Sequence, residues 1–150
     1  MLSTDKHIYD SSVCKSITNC ISTVLASSSK QHKTNNLLVS AAILMLVYPK
    51  DEHYCLLLNK RSQLVEHHKG EVSFPGGTKE LFDKTMLDTA LRETYEEMGI
   101  APDDIVVLGE LDDVETDSNS ISPFVGTIRA DYEFNVSERE VEKILEIPVG

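Results

Sequence analysis

Phe74-Pro75-Gly76-Gly77, fourteen residues, and then Arg92-Glu93-Thr94-Tyr95-Glu96-Glu97-Met98-Gly99-Ile100 form the stretch that decides how this chain is read. On a helix, Glu93, Glu96 and Glu97 stand at i, i+3 and i+4, so their side chains share one face. Leu87, Leu91, Thr94 and Met98 fall on a different stripe, at the spacing of a face laid against a core. Thr85 and Asp88 resemble a capping box, which starts the helix near Thr85. Gly99 is placed to stop it at Met98, and Ala101-Pro102 marks the end. Upstream, Gly76 and Gly77 let the backbone bend tightly and approach a ligand with no Cβ in the way.

Three like charges this close repel one another, and burial sharpens the repulsion. Taken alone, Glu-x-x-Glu-Glu reads as a solvated acidic face. The Pro-Gly-Gly turn and the Arg-Glu start argue instead for a cation held by Glu93, Glu96 and Glu97. Hard oxygen donors in a partly hydrated cluster suit Mg2+ or Mn2+, ions that commonly serve phosphate chemistry.

Arg92 to Ile100 resembles the second half of the Nudix box, the signature of hydrolases that cleave a nucleoside diphosphate linked to another group; Thr94 stands where the pattern has an aliphatic residue. Counting back from Arg92 puts Lys84 and Thr78 where the box has Glu and Gly. Counting forward from Gly77 puts Asp83 at the acidic position, with one residue too many before Arg92. Leu57-Leu58-Asn59-Lys60-Arg61-Ser62, Gly70 and Phe74-Pro75-Gly76-Gly77 keep the spacing of a second signature, that of coenzyme A diphosphatases, with Asn59 for Thr and Glu66 for Arg. Ile121 to Gly126 resembles the same subfamily.

The resemblance implies an α/β class: a Nudix fold, an α/β/α sandwich around a mixed sheet. It implies a diphosphatase that uses Mg2+ or Mn2+ to split coenzyme A or its derivatives into adenosine 3′,5′-bisphosphate and 4′-phosphopantetheine. The alternatives are a Nudix hydrolase for ADP-ribose, NADH or a nucleoside triphosphate, and a domain that binds a nucleotide without turnover. Glu93, Glu96 and Glu97 are the expected metal ligands, and one of them, or a loop acid such as Glu115, the expected base. Arg92 is expected to orient a carboxylate by ion pairing, and Gly76 and Gly77 to shape the turn.

Composition agrees with such a role. Hydrophobic residues make up 41% and charged residues 26% of 150 residues, ordinary for one globular domain. The net charge is -11, and residues 51–150 carry 23 acidic against 9 basic side chains. That balance disfavours nucleic acid as a partner and suits a site that concentrates divalent cations; a small nucleotide diphosphate as partner is what the resemblance implies. Cys14, Cys20 and Cys55 lack any Cys-x-x-Cys spacing, so neither a zinc site nor a disulfide framework is expected. The longest apolar run, Leu37 to Tyr48, is too short to span a bilayer, so no membrane partner is expected. The compartment expected is the cytoplasm, or an organelle if the source is eukaryotic.

In chain order, Ile8 to Ser28 reads as an amphipathic helix for packing or a homodimer contact. With a linker to residue 35 it should pack on a domain spanning 36–150, which is expected to be truncated at its C-terminus. Leu37 to Tyr48 reads as a central strand, Pro49 to Glu52 as a turn and His53 to Leu58 as the returning strand. Asn59 to Glu71 reads as a charged loop whose Lys60 and Arg61 would meet substrate phosphates; His67 and His68, being adjacent, point apart and are poor joint ligands. Val72 to Phe74 and Ile105 to Leu111 read as strands, and Asp112 to Ser120 as an acidic loop before a strand at Ile121 to Ile128. Glu138 to Ile147 suits helix or strand; the resemblance favours a strand.

Overall fold

The structure is a computed structural model that describes residues 11–32 and 35–149. The elements are α1 (Ser11–Ser27), β1 (Val39–Lys50), β2 (His53–Arg61), β3 (Val72–Ser73), β4 (Gly76–Thr78), α2 (Met86–Met98), β5 (Val106–Glu110), β6 (Val114–Glu115), β7 (Asn119–Thr127) and β8 (Val141–Val149). The strands form one mixed sheet in the order β3-β2-β1-β7-β5, with β4 on β1, β6 on β7 and β8 on β2. β1 and β7 run parallel, and the other pairings are antiparallel.

The two faces of β1 explain the layers. Ala42, Leu44, Leu46 and Tyr48 point to one side, where they pack with Leu57, Phe124 and the Ala90, Met98 and Ile100 side chains of α2 and the segment after it. Burying each such large side chain stabilises the fold by about 1.5–3 kcal/mol. Met45 points to the other side, against Leu25 and Ile21 of α1 with Leu108 and Val125. The result is an α/β/α sandwich, as the sequence implied. The predicted start of α1 at Ile8 and its Val13 side chain lie outside the described residues; the described part packs through Leu25.

Several boundaries differ from the sequence reading. Pro49 and Lys50 belong to β1, and the hairpin turns on Asp51 and Glu52 alone. Pairing with β7 ends at Leu46, so the N–H that proline lacks would have faced no partner strand. β2 runs on to Arg61, because β3 and β8 flank its polar end. Gly76–Thr78, read as a turn, is instead a short strand on β1. The acidic loop after β5 holds the two-residue strand β6. The C-terminal segment is the strand β8, which includes Pro148 and continues to Val149.

α2 begins and ends as its sequence dictates. Thr85 Oγ1 accepts from the Asp88 N–H, and Asp88 Oδ2 accepts from the Thr85 N–H, both at 3.1 Å. Gly99 closes the helix at φ 71°, and its N–H donates to the Tyr95 carbonyl. Thr94, the departure from the aliphatic pattern, is fully buried. Its hydroxyl donates 2.7 Å back to the Ala90 carbonyl, so that hydroxyl is not stranded in the core.

Candidate active site

α2 lies across β1 and β4, and this crossing sets the position of each acid. Glu93 rests on β4: a Cβ added at Gly77 would come within 2.5 Å of the Glu93 carboxyl carbon. Only glycine admits the carboxylate that close to the strand. Glu97, 4% exposed, points at β2, where the buried Asn59 Nδ2 donates to its Oε2 at 2.8 Å. Asn59 Oδ1 in turn accepts from the Ser73 hydroxyl at 3.3 Å. Both stretches of the second signature, 57–62 and 74–77, therefore touch an acid of α2.

Arg92 governs the outer side of the cluster. Its Nε donates to Asp83 Oδ1 at 3.0 Å and its Nη2 to Asp83 Oδ2 at 2.9 Å, a two-pronged pair. Nη1 reaches Glu93 Oε1 at 3.1 Å and Glu96 at 3.2 Å, and Nη2 also reaches the Thr78 carbonyl. Asp83 is buried and further held by the Thr89 hydroxyl and the Glu80 N–H. The Arg92 guanidinium holds the Asp83 carboxyl well below the usual carboxylate range. Asp83, reached by counting forward from Gly77, thus anchors Arg92 from the lengthened loop.

Electrostatics single out two of the three acids. Burial pushes Glu93 up to about 7; Arg92 opposes that shift, and Glu96 and Glu140 add to it. Burial pushes Glu97 up to about 8, with Glu93 the next cause and Glu140 another, against relief from Asn59 and Arg61. Glu93, Glu97 and Glu140 thus share one repulsive environment, which a cation would relieve. Glu96 is drawn outward to Arg92. Among the described residues no three His, Cys, Asp or Glu side chains are grouped as a ready metal cage. The donors present are nevertheless hard carboxylate oxygens in mutual repulsion, a set that fits Mg2+ or Mn2+.

Other predicted residues scatter. Arg61 shares the face of β2 that carries Asn59, and its charge acts on Glu97. Lys60 points to the other face and pairs with Glu142 of β8 at 3.1 Å. Both are strand residues, a correction to the loop expected there. Gly76 pairs with Ile43 in β4. His68 pairs with Glu71, and Glu66 is exposed. Glu115 is exposed on β6, with β7 and β1 between it and β4. Three strand spacings, roughly 14 Å, separate the two backbones, so Glu115 is not brought to Glu93.

Sequence reasoning gave no role to Glu140. The end of α2 delivers it: the Glu97 and Met98 carbonyls accept from the N–H groups of Ser137 and Asn135. That fastens the turn in which Glu140 N and Val141 N both donate to the Ser137 carbonyl, while Ser62 N donates to the Glu140 carbonyl. No local pattern in a chain rich in acids marks this residue. Asn59 did leave a trace, as a polar side chain ending the apolar run Leu56 to Leu58.

The NUDIX domain pattern matches residues 38–146. The chain belongs to the Nudix family. An uncharacterised Nudix hydrolase, NudL, of Pectobacterium atrosepticum is 40% identical over 95 residues, which is 63% of this chain and 50% of that protein. NudL of an Enterobacter strain is 34% identical over 110 residues, 73% of this chain and 57% of its own. The chain thus spans about half the length of the curated relatives it matches. Among solved structures, a C. elegans Ap4A hydrolase binary complex superposes with a TM-score of 0.61 at 18% identity, covering 74% of this chain and 80% of that one. The NUDIX domain of Shewanella oneidensis NrtR, in complex with ADP ribose, gives 0.56 at 19% identity, covering 84% and 81%. At these identities the likeness is one of fold. No helix among the described residues is long and apolar enough to cross a membrane.

Proposed function

We propose that this Nudix domain hydrolyses a diphosphate bond with the help of a divalent cation, and that coenzyme A or a derivative is its substrate. The observation that carries the reading is the pair Glu93 and Glu97, the first half-buried against Gly77 and the second buried on Asn59, with Glu140 adding its charge. Carboxylates crowded this way are costly unless a cation sits among them. When bound, Mg2+ or Mn2+ would neutralise charge on the diphosphate oxygens. Glu93 and Glu97 would hold it, and Glu96 would join them on leaving Arg92. Arg92, fixed by Asp83, orients Glu93. Arg61 supplies positive charge for a phosphate oxygen. The water oxygen bonds to one phosphorus as its proton passes to Glu140, the bond from that phosphorus to the bridging oxygen breaks, and two phosphomonoesters leave.

Coenzyme A is favoured because the 57–62 and 74–77 stretches keep that subfamily's spacing and meet at Glu93 and Glu97. Incubation with coenzyme A and Mg2+, followed by separation of products, should yield adenosine 3′,5′-bisphosphate and 4′-phosphopantetheine. Intact coenzyme A under conditions where ADP-ribose is cut would defeat the substrate assignment. That second reading, ADP-ribose or another nucleotide, draws on the acidic Glu66 where the signature has arginine. A cytoplasmic enzyme acting as monomer or homodimer accords with either.

A further inference from the structure

The turn that carries the chain from β4 into α2 shows two large apolar side chains to solvent, and the proposed reaction leaves them unused. In Glu80-Leu81-Phe82-Asp83 the Asp83 N–H donates to the Glu80 carbonyl at 3.0 Å, and the Glu80 N–H to Asp83 Oδ2 at 2.9 Å. Leu81 and Phe82 are therefore the central residues of a turn closed by backbone and side chain together. Central turn positions favour Gly, Asn, Asp, Ser or Pro, each for what it does to the backbone. Leucine and phenylalanine give the turn no such help. They give the core little either, since Leu81 is fully exposed and Phe82 is 70% exposed.

This turn is fastened to the carboxylate cluster. Asp83 holds the Arg92 guanidinium with two hydrogen bonds, and the same guanidinium reaches Glu93 Oε1 at 3.1 Å. Its Cζ lies 5.3 Å from the centre of the Phe82 ring. One guanidinium thus separates Phe82 from Glu93, and most of the ring stays open to solvent. At the other end of the cluster Glu97 meets Asn59 and feels the charge of Arg61. The carboxylates therefore have two unlike flanks. Beyond Glu97 stands a cation suited to a phosphate oxygen, and beyond Glu93 stands an apolar pair on a rigid turn. Leu81 offers no flat surface and Phe82 already carries Arg92 on its ring, so the pair suits a flexible aliphatic chain better than a stacked base.

We propose that Leu81 and Phe82 are specificity residues that receive an aliphatic acyl chain at the end of the pantetheine arm, so that a longer acyl thioester of coenzyme A is cut in preference to a short one. A diphosphate over Glu93 and Glu97 then sends its phosphorylated nucleotide arm toward Arg61 and its apolar arm toward the turn. The inference rests on the coenzyme A reading of the same site.

The test is steady-state kinetics of the whole chain with Mg2+ on acetyl- and hexanoyl-coenzyme A, read by release of adenosine 3′,5′-bisphosphate, a product common to both. A CH2 group buried in full is worth about fourfold, and an open turn covers roughly half of each, so kcat/KM should rise about tenfold from acetyl to hexanoyl. Leu81→Ser and Phe82→Ser should each lower that ratio, and the double variant should bring it close to one. A role of Phe82 confined to packing on Arg92 would slow both substrates alike and leave the ratio unmoved. Leu81→Ser alters a side chain in open solvent, so the test stands even if the double variant fails to fold; circular dichroism checks each. A ratio near one in the unaltered chain, or a ratio that Leu81→Ser and the double variant both keep, overturns the proposal while leaving the coenzyme A reading in place. Cleavage of ADP-ribose with neither thioester cut removes both.

Discussion

Replacing Glu97 by glutamine should stabilise the metal-free protein at alkaline pH and destroy its response to Mg2+. Glu97 is 4% exposed and its carboxyl is pushed up to about 8 by burial and by Glu93, from 4.5 in an open chain. Between those values the native state keeps a proton that the unfolded state has released, so stability falls as pH rises from 4.5 to 8. At about 1.4 kcal/mol per pH unit the ceiling is about 5 kcal/mol. Part of that shift belongs jointly to Glu93, so a gain of about 3 kcal/mol for Glu97→Gln at pH 8 is the working figure. Near pH 4.5 the difference should vanish, because protonated Glu97 and glutamine have the same shape and both accept from Asn59. Urea unfolding in chelator across this range measures it. With Mg2+ at a hundred times its Kd, the unaltered chain should gain about 2.7 kcal/mol and the variant little. A stability difference that does not change with pH would refute the account of Glu97 as a buried carboxylate crowded by its neighbours.

Other expectations follow from single contacts. Gly77→Ala should lower kcat by about 100-fold with the fold retained, because the new Cβ displaces the Glu93 carboxylate; circular dichroism and steady-state kinetics together check this. Asp83→Ala, which strips Arg92 of its two-pronged partner, should cost about 3 kcal/mol in urea unfolding. Glu140→Gln should slow hydrolysis by about 100-fold if Glu140 takes the proton of the attacking water, whereas Glu115→Gln should stay within about twofold of the unaltered rate. Equal effects of the two would reverse the placement of these acids.

What the sequence disclosed follows how local each determinant is. The limits of α2 were readable because Thr85, Asp88 and Gly99 act within one turn of the helix end they fix. The hairpin of β1 and β2 was readable as two apolar runs about a polar break, but its length was not. Pro49 and Lys60 look like turn and loop residues, and they are strand residues because of partners distant in the chain. The acidic trio was visible as spacing, yet its division was not. Arg92 draws Glu96 outward only because Asp83 fixes the guanidinium. Glu140 was beyond reach, since its place depends on carbonyls at the end of α2 receiving a loop some forty residues later. Asn59 carried a legible anomaly, a buried amide after three leucines, whose partner only folding reveals.

The site itself is best tested by titrating isotopically labelled protein with Mn2+ and recording which amide resonances broaden. Broadening centred on Gly77, Asn59, Glu93 and Glu97, and lost in Glu97→Gln, is the predicted result. Broadening centred instead on residues 112–117, with the α2 signals sharp, would contradict a cation held by the carboxylates of α2.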